Sequence, residues 1–239
     1  MGPIWRRLLR GHPVRWTAVS GTARRMIVES GLATAGEVVI VTNPIDPADV
    51  RAERREASDP PAVGFIASAD GRKGFHLLPE VDRELAGIRL RWRLFTGPPR
   101  GDLDPTWERL RALPESRISF SEKLRDVRDA YARCDVVFCP SLSESFCRVA
   151  AEAMLNGIPV VASDIEPLRE LLGDDEAGLL FPPGNAVAAA AALRRVVENE
   201  GLRRQLGAAG RERARAFEPG RVVDRLSSLY GLTDHGSHG

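Results

Sequence analysis

Short apolar runs alternate with amphipathic stretches along most of the chain. The runs are rich in Val, Ile and Phe, a composition typical of strands buried on both faces of a parallel sheet. Between them, apolar residues recur at the spacing of a helix that buries one face. This alternation predicts an α/β protein with a doubly wound, mostly parallel sheet.

The pattern gives approximate limits for each element. The predicted strands are residues 16–19, 38–41, 63–67, 91–96, 118–120, 136–139, 159–162 and 179–181. The predicted helices are residues 20–30, 75–85, 107–112, 124–133, 146–156, 166–172, 186–199, 202–217 and 221–230.

Residues 47–62 interrupt this alternation and are predicted to be a linker. They are charged, have proline near both ends and contain few large apolar side chains. Residues 63–231 are then long enough for one doubly wound domain. Residues 1–46 are too few to bury a core alone, and we interpret them as the remnant of a preceding domain. Residues 232–239 are predicted to be a disordered tail.

Composition excludes several classes of protein. The net charge of +1 gives no global attraction to nucleic acid. An odd number of cysteines without a C-x-x-C pair argues against a disulfide framework or a zinc site and favours a reducing cytoplasm. No apolar run approaches the ~20 residues that a membrane-spanning helix needs.

The first 28 residues contain arginines but no acidic residue, together with Trp5, Leu8 and Leu9. Two hypotheses account for them. The segment makes peripheral contact with an anionic inner membrane surface, or it packs against another domain.

The strongest chemical feature is residues 139–163, a predicted strand, polar loop, helix and strand. Polar loops at the carboxyl ends of parallel strands bind ligands in open α/β sheets. The loop contains Glu144 and Ser145, and Glu152 follows in the helix. The first helical N–H groups, on Phe146, Cys147 and Arg148, suit a diphosphate. From these residues alone, Glu144 is also compatible with a helix-capping neighbour and Glu152 with a solvated helix residue.

This segment resembles the E-x(7)-E signature of the family 4 (group 1) glycosyltransferases of the GT-B fold. The matching residues, in the family's order, are Ser141, Glu144, Phe146, Glu152, Ala153, Met154, Gly157, Pro159, Val160 and Val161. The resemblance implies that Glu144 lies beside the donor sugar and that Glu152 binds the nucleotide ribose. It also implies that the chain is largely the C-terminal, donor-binding domain, with a small part of the acceptor domain before it. Cys147 departs from the family, which often has glycine there.

Residues 63–78 resemble the family's strand, loop and helix with a Lys-Gly pair. Gly64 permits close approach of the chain. Lys73, one of only two lysines, is expected to bind the donor diphosphate and stabilise the leaving nucleotide; the alternative is a solvated loop charge. The family often has arginine at the position of Phe65, so one cation is missing, and Arg72 is a candidate substitute.

Weaker assignments complete the site. Ser121 and Leu124 fall in the loop that contacts the base in the family. Glu170 matches a family glutamate that lies near the donor or at a helix start. Asp102 and Asp104 form a D-x-D, which we interpret as a surface turn rather than a metal site. Neither a metal nor another cofactor is expected.

The sequence therefore predicts a retaining glycosyltransferase that uses a nucleoside-diphosphate sugar and an unknown acceptor. Three alternatives stay open: a nucleotide-sugar-binding module that needs a separate acceptor-domain subunit, a nucleotide-sugar epimerase of the same fold, and a pure interaction domain.

Overall fold

The computed structural model describes residues 15–53, 57–99, 104–121 and 126–231, without the side chain of Asp104. The N-terminal part forms a small parallel sheet in which β1 (Trp16–Ala18) pairs with β2 (Val38–Ile40). Helix α1 (Gly21–Glu29) and a 3-10 turn (Ala35–Glu37) connect the two strands.

The large sheet has six parallel strands within the described residues, in the order β5-β4-β3-β6-β7-β8. Their bounds are β3 Ala62–Ile66, β4 Arg91–Phe95, β5 Ile118–Phe120, β6 Val136–Cys139, β7 Val160–Ser163 and β8 Gly178–Phe181. The chain builds outward from β3 to β5 and then returns to place β6 on the other side of β3. The carboxyl ends of β3 and β6 therefore form the topological switch point, where open sheets bind ligands.

Helices cover both faces of this sheet. Their bounds are α2 Pro47–Val50, α3 Leu78–Glu84, α4 Asp104–Arg111, α5 Val127–Ala132, α6 Arg148–Leu155, α7 Glu166–Leu172, α8 Ala186–Glu198, α9 Glu200–Ala214 and α10 Pro219–Tyr230. A 3-10 turn (Phe75–Leu77) precedes α3. The predicted α/β class and doubly wound parallel sheet are confirmed.

The alternation of side chains along the buried strands divides the core into two layers. Trp92 and Phe138 point to the face covered by α3, α4 and α8, where their ring centroids are 5.9 Å apart. Phe95 and Val137 point to the opposite face, which α5, α6 and α7 cover. Both faces are thus apolar, which explains the continuous Val- and Phe-rich runs in the sequence.

The predicted linker is in contact with the large domain on both sides of residues 54–56. The Asn156 side chain donates to the Val50 carbonyl at 3.0 Å and accepts from the Ala52 N–H at 2.8 Å. Nearer β3, the Asp135 carboxylate accepts from the N–H groups of Ser58 and Ala62. The domain boundary placed here stays a prediction.

The N-terminal part docks onto α7. Glu166 accepts hydrogen bonds from the Thr22 hydroxyl at 2.7 Å and from the Arg25 guanidinium. Glu170 accepts from the Gly21 N–H at 2.9 Å, so this glutamate meets the start of α1. The basic segment with Trp5, Leu8 and Leu9, and the predicted tail 232–239, lie outside the described residues. In the part that is described, no helix has the length and apolarity needed to cross a membrane.

Candidate functional site

A cavity of about 300 Å³ opens at the switch point between β3 and β6. It lies where the turn after β3 meets the loop after β6. Its described lining residues are Asn43, Phe65, Ile66, Ala67, Lys73, Phe138, Cys139, Pro140, Ser141, Glu144, Ser145, Phe146, Cys147, Arg148 and Val149.

A glycine allows the two loops to meet. Gly74 has a φ of +72°, in the left-handed region, and a Cβ there would lie 2.0 Å from the Pro140 carbonyl oxygen. Next to this contact, the Leu142 N–H donates to the Arg72 carbonyl at 2.7 Å. The glycine of the Lys-Gly pair is thus needed so that Lys73 can approach the loop that follows β6.

Lys73 and Glu144 form an ion pair inside this cavity. The Lys73 Nζ lies 2.7 Å from Glu144 Oε1, and the Ser141 hydroxyl donates to the same oxygen at 2.8 Å. The Glu144 side chain is only 9% exposed and that of Lys73 28%. The structure therefore brings together the two predicted catalytic residues, and Lys73 is not a solvated loop charge.

Helix α6 begins at Arg148, so the prediction of a helix from residue 146 was wrong at its start. Cys147 is the residue before the helix and has φ 68° and ψ 72°, in the left-handed region. This conformation cannot continue a right-handed helix. Glycine adopts it without strain, which gives a physical reason for the glycine that the resembling family often has here.

The backbone around Cys147 leaves N–H groups available to a ligand. No described residue accepts a hydrogen bond from the N–H of Phe146, Cys147 or Arg148. Two of these amides lie in the loop rather than in the helix, but all three residues line the cavity, as does Ser145. Amides of this kind at the start of a helix attract anions.

Two thiols form part of the cavity wall. Cys139 and Cys147 are both buried and free. Hydrogen bonding to the Cys147 side chain, together with burial, raises the pKa of Cys139 well above its ordinary value. Cys139 is therefore a neutral thiol at physiological pH.

Glu152 is not among the described lining residues of the cavity. The residue is 6% exposed, so it is not a solvated helix residue. The Tyr131 hydroxyl donates to its Oε2 at 2.6 Å, and the Arg148 guanidinium donates to its Oε1 at 3.0 and 3.1 Å. Burial and the neighbouring Glu152 charge raise the pKa of Tyr131 well above its ordinary value. Tyr131 therefore remains a hydrogen-bond donor.

Several other predicted site residues lie off the cavity. Arg72 has a side chain that is 76% exposed and lies 4.0 Å from Asp70. Ser121 is half-buried, and its N–H donates to the Leu94 carbonyl. Leu124 lies outside the described residues.

Gly64 is also absent from the cavity lining, and its role in the fold is clear. A Cβ at this position would lie 2.3 Å from Cys134 Sγ. The glycine does permit close approach, as predicted, but the neighbour is a side chain of the core.

The Phe65 ring is buried beside that of Phe75, at 5.9 Å between centroids. A longer cationic side chain at position 65 would therefore begin inside the core.

Two residues of this region were missed from the sequence. Asn43 lines the cavity from the segment after β2, where the sequence analysis placed no site residue. Tyr131 was seen as part of the helix before β6, but nothing in the sequence showed its partner.

Within the described ranges, no group of three or more His, Cys, Asp or Glu side chains is arranged to hold a metal ion. Asp102 lies outside those ranges, and Asp104 begins α4 rather than lying in a turn.

Comparison with known proteins places this geometry in a family. The family model described as "Glycosyl transferases group 1" matches residues 47–213. Phosphatidyl-myo-inositol mannosyltransferase of Mycobacterium leprae (strain TN) is 33% identical over 225 residues, 89% of this chain and 58% of that protein. Sucrose-phosphate synthase from Thermosynechococcus elongatus aligns with a TM-score of 0.74 and 27% identity, covering 90% of this chain and 57% of that one.

A second solved structure shares the fold at lower identity. HepE from Anabaena, in complex with UDP-glucose, aligns with a TM-score of 0.81 and 20% identity over 95% of this chain and 66% of that one. The predicted GT-B architecture is thereby confirmed. The chain spans little more than half the length of the curated relatives that it matches. On the family match and on the extent of its similarity to the mannosyltransferase, the chain belongs to the group 1 glycosyl transferases.

Proposed function

We propose that this chain is the donor-binding half of a retaining glycosyltransferase, which transfers a sugar from a nucleoside-diphosphate sugar to an acceptor. The observation that carries the proposal is the Lys73–Glu144 pair, which lines one cavity together with residues 146–148, whose N–H groups have no acceptor among the described residues. A cation, free amides and a carboxylate in one cleft are the groups that a nucleotide sugar requires.

The diphosphate occupies the wall formed by Lys73 and the free amides. As the bond to the sugar breaks, negative charge builds on the leaving nucleoside diphosphate. The Lys73 ammonium and the N–H groups of Phe146 and Cys147 stabilise that charge, and they are already in position before the reaction. No bound metal is assigned a role, since the anion has a cation and amides to neutralise it.

The sugar and the ribose are held by the two glutamates. Glu144 is fixed by Lys73 and Ser141 at the cavity wall and positions the donor sugar. Glu152 accepts the ribose hydroxyls. Its two oxygens offer about four lone-pair sites. The hydrogen bonds from Tyr131 and Arg148 leave part of this capacity for a ligand.

The relatives support a nucleotide-sugar donor. HepE from Anabaena has been solved with UDP-glucose, and the Mycobacterium leprae relative is named as a phosphatidyl-myo-inositol mannosyltransferase. By similarity to HepE a UDP sugar is a candidate donor, with a GDP sugar as the alternative. A lipid-linked acceptor would bring the protein to the inner membrane surface through its basic N-terminus. The acceptor site is completed by a domain that precedes this one or by a separate subunit.

The test is a screen of UDP-, GDP- and ADP-sugars by thermal shift and calorimetry, followed by product analysis. Binding of one class that Lys73→Met weakens at least about ten-fold supports the proposal. Binding without transfer, even with an acceptor domain supplied in trans, would identify a binding module instead. Release of a rearranged sugar without any acceptor would identify an epimerase. No binding of any nucleotide sugar would leave only an interaction domain.

A further inference from the structure

Arg148 belongs to the cavity lining and also pairs with Glu152. Arg148 lines the cavity, and its side chain is 59% exposed. Through its Nε and Nη2 atoms it also donates to Oε1 of Glu152, four residues along α6. Only the Arg148 side of this i,i+4 pair is exposed, because the Glu152 side chain is 7% exposed. Arg148 can therefore leave Glu152 only when another hydrogen-bond donor takes its place.

Tyr131 holds Glu152 in place independently of Arg148. Its buried hydroxyl donates to the other carboxylate oxygen at 2.6 Å. A carboxylate that keeps this donor stays oriented when the guanidinium moves away. Of the two partners of Glu152, Tyr131 is therefore the permanent one and Arg148 the exchangeable one.

A diphosphate carries more negative charge than one ammonium group neutralises. Lys73 and Arg148 are the two cationic residues among those described on the lining. The charge of Lys73 is shared with Glu144, while Arg72 is exposed and is not among the lining residues. Arginine presents a planar fork that matches phosphate oxygens in a bidentate contact.

We propose that Arg148 exchanges partners when a nucleotide binds: its guanidinium leaves Glu152 for the diphosphate, and the ribose hydroxyls take its place on Glu152. This inference rests on the proposed function and deepens it, because it identifies the side chain that supplies the second cation. The exchange couples recognition of the ribose to recognition of the diphosphate.

The exchange predicts that Arg148→Ala weakens the binding of a nucleoside diphosphate but not that of the nucleoside. The variant loses a cation at the diphosphate, so its affinity for a nucleoside diphosphate falls about ten-fold. Its affinity for the matching nucleoside, which has no phosphate, stays the same or rises, because the Glu152 oxygen that Arg148 occupies is already free. A residue that merely supports the loop would weaken both ligands by the same factor.

Calorimetry measures this with GDP and guanosine, and in parallel with UDP and uridine and with ADP and adenosine. Arg204→Ala is the matched control, since it removes an exposed arginine from another i,i+4 pair, with Glu200. Arg148→Gln is a second variant in case the alanine protein does not fold; it removes the charge but keeps hydrogen-bonding capacity toward Glu152.

The outcomes separate the two proposals. A ten-fold loss confined to the diphosphates, absent in Arg204→Ala, supports the exchange. Equal losses for diphosphate and nucleoside, or unchanged diphosphate binding in both Arg148 variants, overturn it while the proposed function stands. Failure of the wild-type chain to bind any of the six ligands overturns the proposed function and this inference together.

Discussion

The Nζ atom of Lys73 lies 2.7 Å from Oε1 of Glu144, although the two residues are 71 positions apart in the sequence. The contact joins the turn after β3 to the loop after β6 at the switch point of the sheet. Because the Glu144 carboxylate is largely buried, it needs the ammonium for its own stability. In the proposed function, the same ammonium is the cation that binds the donor diphosphate.

Replacing Lys73 by Met is expected to weaken nucleoside-diphosphate binding at least about ten-fold, because a charge-assisted hydrogen bond to the diphosphate is lost. The variant also leaves Glu144 without its cation, so Lys73→Met combined with Glu144→Gln should be more stable than the sum of the single changes predicts. Calorimetry and urea unfolding measure both effects. Arg83→Ala, an exposed cation on α3, is the control, and equal affinity of Lys73→Met and wild type would contradict the account.

Gly74→Ala should lower the free energy of unfolding by about 1–3 kcal/mol, because alanine is strained at a φ of +72° and its Cβ meets the Pro140 carbonyl. The clash also separates Lys73 from the loop after β6, so nucleotide binding should fall with stability. Gly71→Ala is the matched control, since its Cβ would have no neighbour within 4 Å. Urea unfolding measures the difference, and similar stabilities for the two variants would argue against the proposed loop contact.

The secondary structure could largely be predicted from the chain because its signals are local. The buried strand Val136–Cys139 and the helix Glu166–Leu172 have the predicted bounds, since a run of β-branched residues defines the first and a Glu-Pro start with a final glycine defines the second. The start of α6 was predicted too early, because no side-chain pattern showed that Cys147 would adopt a left-handed conformation.

The sequence predicted site residues only where they belong to a motif of a known family. The resemblance pointed to Lys73 and Glu144, and the structure shows their contact. The pairing of Tyr131 with Glu152 spans 21 positions and depends on how α5 packs against α6, which periodicity does not specify. The neighbour of Gly64 was missed for the same reason, because Cys134 comes from a distant segment.

Alkaline pH should destabilise the protein through Cys134. Burial, and secondarily the Asp135 charge, raise the pKa of this thiol to about 12, while an unfolded thiol titrates near ~8.5. Between these values the unfolded chain binds fewer protons than the folded one, so stability is fully present below pH ~8.5 and falls as the pH rises toward 12. Urea unfolding at pH 7, 9, 10 and 11 measures the decline. In Cys134→Ala its slope should be smaller by up to about 1.4 kcal/mol per pH unit, and an unchanged slope would show that Cys134 does not contribute.

Glu166→Ala should loosen the N-terminal part without affecting the cavity. The variant loses the acceptor of the Thr22 hydroxyl and of the Arg25 guanidinium, so amide hydrogen exchange in β1, α1 and β2 should become about two- to five-fold faster. Glu29→Ala, whose side chain is an exposed partner of Arg25 at 4.0 Å, should change exchange little. Equal exchange in the two variants would mean that Glu166 does not dock α1.

A second cavity offers a competing location for a nucleotide. It measures about 110 Å³ and lies between the N-terminal part and α7, where its lining includes Ser20, Thr42 and Glu170. Among its described lining residues there is no cation, and Glu170 adds a negative charge. A diphosphate is therefore expected to avoid it.

The most direct test is a crystal structure of the chain with the nucleoside diphosphate that it binds most tightly. The account predicts phosphate oxygens within hydrogen-bonding distance of Lys73 Nζ and of the N–H groups of residues 146–148, in the cavity between β3 and β6. Phosphates bound at the second cavity, or elsewhere on the surface with the Lys73–Glu144 pair untouched, would contradict it.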